Sequence, residues 1–237
     1  MNSNLLQIVF HVIINPKIGW KYLEEYYEER GKRLDLKEEF EKYKHIYFLT
    51  FIFALFPALG HFLGMTVFKN LYIPDEMLEY LKNEPNGQQT LIYLERLKEI
   101  MYAGDLKKIL MLVGMYYVAE FFRPIILGAL VFFLGGSFGG EKNPYKAFSI
   151  AVIALVPSWI ANFFIFYNSL FTAVIIFLAT FYTVYLVFIG GEKILKIPSE
   201  NSKNFQFAIV LGLLYLIISA VFGGILVQTI ASKIIFL

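Results

Sequence analysis

The chain has 237 residues, 58% hydrophobic and 17% charged, with a net charge of +2 and a mean hydropathy of +0.60. A water-soluble domain carries roughly 45–50% apolar and 25% charged residues, so this balance belongs to the membrane class. The absence of cysteine excludes a disulfide framework, a thiol nucleophile and a thiolate metal site; the net charge argues neither for nor against nucleic acid, but no basic stripe gives it a footprint.

The first 44 residues divide in two. Leu5 to Ile14 is apolar but too short to span a bilayer, which needs about 20 residues, and it reads as an interfacial segment. No basic flank precedes it and no small-residue cleavage site follows it, so it does not read as a signal peptide. Pro16 and Gly19 break it within Asn15-Pro16-Lys17-Ile18-Gly19-Trp20. Residues 21–44 then read as a charged helix with a break near Gly31, supported by opposite charges four apart such as Glu29 and Arg33.

Five apolar segments of spanning length follow, His45–Phe68, Ile109–Leu134, Tyr145–Phe166, Leu170–Ile189 and Phe205–Ile230. They are continuous apolar runs, without the alternation of a β-barrel. The expected fold is all-α, a polytopic bundle of five transmembrane helices. Residues 1–44 form its N-terminal helices and residues 45–237 its membrane domain. The polar stretch 69–108 reads as two helices around Pro85-Asn86-Gly87, an external hairpin packed on the bundle. Only Tyr167-Asn168-Ser169 separates the third and fourth spans, which requires a tight antiparallel turn. Thirteen Lys and Arg fall on the side of the N-terminus and seven on the other. Basic residues favour the cytoplasm, so the N-terminus is expected inside and the C-terminus outside.

Gly-Gly-Glu-Lys occurs twice, at Gly139-Gly140-Glu141-Lys142 and Gly190-Gly191-Glu192-Lys193, each after an even-numbered span on the expected inner side. Glycine past a helix end suits a left-handed cap, and lysine there faces the negative end of the helix dipole. With Pro16 and Trp20 these eight residues form a candidate cytoplasmic interface. Ala-Leu-Phe-Pro and Ala-Leu-Val-Pro place Pro57 and Pro157 in mid-span, and Pro124 is a third candidate kink. The glycine-rich 135–140 stretch lacks the Gly-Lys-Ser/Thr of a phosphate-binding loop and reads as helix termination.

This assembly resembles the Yip1 domain family over essentially the whole chain, most closely over 107–230. The resemblance rests on Asn-Pro-Lys-Ile-Gly-Trp before five spans and Phe-Leu-Gly-Gly-Ser-Phe-Gly-Gly closing the second. It rests also on Lys-Ala-Phe-Ser-Ile-Ala-Val-Ile-Ala-Leu-Val-Pro in the third, the near-immediate hairpin, and Tyr-Leu-Val-Phe-Ile-Gly-Gly closing the fourth. It implies a five-helix membrane protein with a cytoplasmic N-terminus. Eukaryotic members are tied to Rab GTPases and to vesicle traffic between endoplasmic reticulum and Golgi. This chain lacks the long Pro/Gln/Gly-rich N-terminus of several of them, and its compact, cysteine-free composition reads as prokaryotic, with the cell or inner membrane as its place.

Glu120 and Arg123 interrupt an otherwise apolar span. Charge at the bilayer centre costs roughly 2.5–3.5 kcal/mol per residue on insertion scales, so it needs a reason. Three readings stand: a polar cavity or proton path, a buried ion pair that fixes packing, or a pair at the outer interface near Tyr116-Tyr117 and Lys107-Lys108. Asn162, beside Trp159 and after Pro157, and His61 complete the candidate intramembrane polar site. His11, His45 and His61 show no metal-ligand spacing, no catalytic set is legible, and no cofactor is expected. The leading reading is a non-enzymatic membrane protein in the lipid bilayer that binds protein partners at its cytoplasmic face or shapes the membrane. The rival is a small transporter or channel around Glu120 and Arg123, and a membrane enzyme comes third. Gly223-Gly224 leaves a homo-oligomer open, without the Gly-x-x-x-Gly spacing.

Overall fold

The computed structural model describes residues 5–30 and 36–237. Among them the chain is helical, with no β-strand. Helix α1 is Leu5–Ile14, α2 Pro16–Arg30, α3 Leu36–Thr66, α4 Lys69–Tyr72, α5 Asp75–Asn83 and α6 Gln88–Ala103. Then come α7 Leu106–Ser137, α8 Pro144–Phe163, α9 Leu170–Lys193, α10 Lys203–Val221 and α11 Gln228–Phe236. The expected break near Gly31 and the Glu29–Arg33 pairing lie outside the described residues.

Five helical stretches are long and apolar enough to cross a membrane: Lys44–Thr66, Leu106–Ser137, Pro144–Phe166, Leu170–Lys193 and Lys203–Phe236. The last is longer than the expected Phe205–Ile230. Its α-helix widens into a π-helical turn at Phe222–Val227 and resumes as α11. Large apolar side chains stay outside, among them Phe48, Phe133, Phe171, Phe177 and Ile217. In water such a surface would be a liability, whereas in lipid it is the ordinary exterior of a spanning helix.

Local chemistry fixes the helix ends. Asn143 Oδ1 accepts the Lys146 amide at 3.0 Å ahead of Pro144, the first residue of α8. This is an N-cap followed by a proline that gives up an amide with no helical partner anyway. Asp105 caps α7 through the Lys108 amide, and Ser169 caps α9 through the Thr172 amide. At the end of α7, Gly139 adopts φ +89°. The Gly140 amide reaches Gly135 O at 2.9 Å and the Gly139 amide reaches Gly136 O at 3.4 Å, the paired bonds of a Schellman stop. The second Gly-Gly-Glu-Lys differs, because α9 runs through it to Lys193. Gly190 and Gly191 are helical and buried there, so the left-handed cap expected at both copies exists at the first alone. Helices α3, α7 and α8 each continue through their proline, Pro57, Pro124 and Pro157.

The chain forms two compact units. The first comprises Met1–Phe53, Phe121–Ser158 and Leu178–Ile218. At its centre lies α8, whose residues from Ile150 to Val156 are at most 1% exposed. A helix apolar on all sides belongs inside, and the small Ala147, Ala151 and Ala154 let neighbours approach closely, as membrane packing requires. The second unit comprises Ala54–Glu120, Trp159–Phe177 and Ser219–Leu237. It contains the expected helical hairpin, α5 and α6, turned by Glu84-Pro85-Asn86-Gly87 with the Gly87 amide on Glu84 O at 3.0 Å. Its core joins Met65, Leu78, Leu97, Met101, Ile109 and Ile235. The tight turn between α8 and α9 is tied to the residues after α3 by the Asn168 amide on Leu71 O at 2.9 Å.

Candidate functional site

Two groups of residues stand out, one in each unit. In the first unit, α1 and α2 form a helical hairpin about Asn15. A Cβ at Gly19 would lie 2.2 Å from Val12 N, so the backbones of the two helices touch there and no other residue fits. Trp20, next in sequence, is 0% exposed. Its ring lies against Gly190, where a Cβ would come within 3.1 Å of Trp20 Cζ2 and of Ile150 Cγ2. A Cβ at Gly191 would meet Phe207 Cε1 at 2.9 Å. The motif residues thus have distinct roles: Asn15 is the joint, Pro16 opens α2, Gly19 admits α1, and Trp20 plugs the groove that Gly190 leaves open.

Polar contacts lock the same hairpin. Glu24 pairs with Lys196, the Tyr182 hydroxyl donates to Ile13 O, and Tyr27 and Ser149 share a hydrogen bond at 3.3 Å. Of the candidate interface, Trp20, Gly190 and Gly191 are therefore interior. Pro16, Gly140, Glu192 and Lys193 are half-buried, while Gly139, Glu141 and Lys142 are exposed. The first copy is held by the Glu141 amide on Leu195 O at 2.7 Å, and the Glu141 carboxylate pairs with Lys146. On the hairpin's other side Leu6, Phe10, Ile14 and Ile18 are exposed, Ile14 at 81%. Leu6, Phe10 and Ile14, four residues apart on α1, make one apolar stripe, and Ile18 adds an exposed apolar side chain from α2.

The candidate polar residues fall in both units. In the second, Glu120 Oε2 accepts the indole N–H of Trp159 at 2.9 Å. In the first, Arg123 donates to the Tyr215 hydroxyl at 3.2 Å. Both charged side chains are half-buried. Asn162 is half-buried in α8. Its carbonyl lies beside Gly60, where a Cβ would come within 3.0 Å of it. His61 finds aromatic company: its Nδ1 is 2.6 Å from the Tyr72 hydroxyl, and its ring stacks on Tyr116 at 3.8 Å. The sequence flagged Tyr116 only as an interface marker and did not single out Tyr72. Tyr72 ends the four-residue α4, which is too short to show a helical period that would point it at a histidine.

The described residues contain no group of His, Asp and Glu able to hold a metal ion. A family model, the Yip1 domain, matches residues 35–221. The chain belongs to the Yip1 domain family. Comparison with curated proteins and with solved structures finds no match. The Yip1 match takes in α3 through α10 and both Gly-Gly-Glu-Lys segments, and it leaves out the hairpin of α1 and α2. The chain is accordingly a multi-pass Yip1-domain membrane protein whose Gly190 receives Trp20 from outside the matched stretch.

Proposed function

We propose that this Yip1-domain protein is a non-enzymatic organiser of membranes, acting by shaping the bilayer and by holding protein partners at its cytoplasmic face. One observation carries the reading. The α1–α2 hairpin is anchored from within by Trp20 and presents Leu6, Phe10, Ile14 and Ile18 outward. A firmly docked helix with an apolar stripe, flanked by exposed Lys17 and Lys21, is built to lie in the headgroup layer as a wedge. The partners Trp159 and Tyr215 favour an architectural role for Glu120 and Arg123. Each charge has a polar contact that offsets part of its cost in the membrane.

The test keeps the plug and changes the stripe. Phe10→Asp with Ile14→Asp alters exposed side chains only, so thermal unfolding in detergent should stay within about 1 kcal/mol of the parent. Tubulation of reconstituted liposomes should fall to the protein-free level. Undiminished tubulation by the double variant would sink the proposal.

The proposed orientation places the N-terminus and both Gly-Gly-Glu-Lys segments in the cytoplasm and the α5–α6 hairpin outside. Because the chain lacks cysteine, single Glu84→Cys and Glu141→Cys variants report topology without background. On intact cells a membrane-impermeant maleimide should label the first and spare the second. The reverse pattern would invert the assignment.

A further inference from the structure

The second unit holds a pocket of about 340 Å³ that the membrane-organising role does not use. Its polar lining comes from His61, Tyr72, Tyr93 and Tyr116, with Asn168 and Thr172 at the α8–α9 turn. Its apolar lining includes Ile73, Leu94, Leu97, Ala173 and Ile176. Among the described residues none that lines it is Asp, Glu, Lys or Arg.

We infer that this pocket binds an uncharged amphiphile from the bilayer, with a hydroxyl headgroup on His61 and its alkyl chain along α9. His61 and the tyrosines select the headgroup. The Nδ1 atom is taken by Tyr72, so Nε2 is the imidazole nitrogen left for a ligand. In a neutral imidazole Nε2 is a donor in one tautomer and an acceptor in the other. A hydroxyl is both, and so matches either. A phosphate would enter a site with no cation to offset its lost hydration. A quaternary ammonium would find aromatic rings but leave Nε2 unmatched. Burial pushes the Tyr72 and Tyr93 hydroxyls above the ordinary phenol range, which keeps both uncharged.

The surroundings identify the source. On α9 the lining residues Thr172, Ala173 and Ile176 alternate with Leu170, Phe171, Val174 and Phe177, which point outward and are 45–82% exposed. One helix therefore lines the pocket and offers a greasy outer face. A molecule already dissolved in lipid reaches Ala173 along that face without crossing water.

The experiment uses the full chain in phosphatidylcholine nanodiscs and a monoacylglycerol with a diazirine in its acyl chain. Photolabelling should fall on the peptide containing Ala173 and Ile176. His61→Phe keeps a ring against Tyr116 but removes the hydrogen bond, and should lower labelling about five-fold. Ala173→Trp fills the pocket from the helix surface and should abolish labelling. Thermal unfolding identifies a variant that fails to fold, and the other variant then decides. Equal labelling of the parent and the folded variants overturns the proposal. Displacement by dodecyltrimethylammonium at or below the monoacylglycerol concentration shows that the site takes a cation, and also overturns it. Displacement by free glycerol moves the source to the aqueous phase and overturns the bilayer origin.

Discussion

Trp20→Ala should lower the stability of the detergent-solubilised protein by about 3–5 kcal/mol, measured by reversible unfolding, while Trp20→Phe should stay within about 1 kcal/mol of the parent. The indole is 0% exposed and fills the groove over Gly190, so truncation opens a cavity between α2 and α9 that two helices cannot close. Its N–H, however, has no hydrogen-bond partner among the described residues. Phenylalanine keeps most of the volume and removes a buried donor that gains nothing. Equal destabilisation by the two substitutions would show that the N–H has a role that the packing does not reveal.

The same exchange at the other tryptophan should go the other way. Trp159 is also 0% exposed, but its N–H donates to Glu120 Oε2 at 2.9 Å. Trp159→Phe removes a hydrogen bond to a carboxylate and should cost about 1–2 kcal/mol, at the upper end of polar contacts measured in membrane proteins. Adding Glu120→Gln should recover part of that loss, because a neutral amide is less costly to leave without its donor than a carboxylate. If Trp159→Phe proves neutral in the same unfolding assay, the contact with Glu120 carries no stability.

These two residues also mark how far the sequence is legible. The five spans could be read because lipid imposes long apolar runs with few charges, a constraint local to each segment. The α5–α6 hairpin could be read because Pro85-Asn86-Gly87 states its turn locally. What failed to show was pairing between segments. Glu120 and Arg123 suggested each other, being three residues apart on one helix. Glu120 also meets Trp159, 39 residues later, and Arg123 also meets Tyr215, 92 residues later. Nothing on α7 names those partners. Likewise the second Gly-Gly-Glu-Lys looks like the first, yet one is a helix stop and the other the bed of a tryptophan. The difference arises from what packs against the glycines. The last span outran its expected end at Ile230 because α11 continues to Phe236.

The separation between Trp20 and Gly190 also bears on the order in which the chain can be assembled. A ribosome delivers Trp20 long before the residues that seat it, and four membrane segments must be inserted first. The contact at Gly19 lies within the α1–α2 hairpin and needs none of those segments, so the hairpin can close before them, with the face that meets α9 still uncovered. The bilayer surface is the natural place for it to wait, since the face that later meets α9 is as greasy as the face that stays outside. Docking of the hairpin is therefore a late step in the biogenesis of the first unit. The buried tryptophan acts as a latch that closes only after the fourth span is in the membrane.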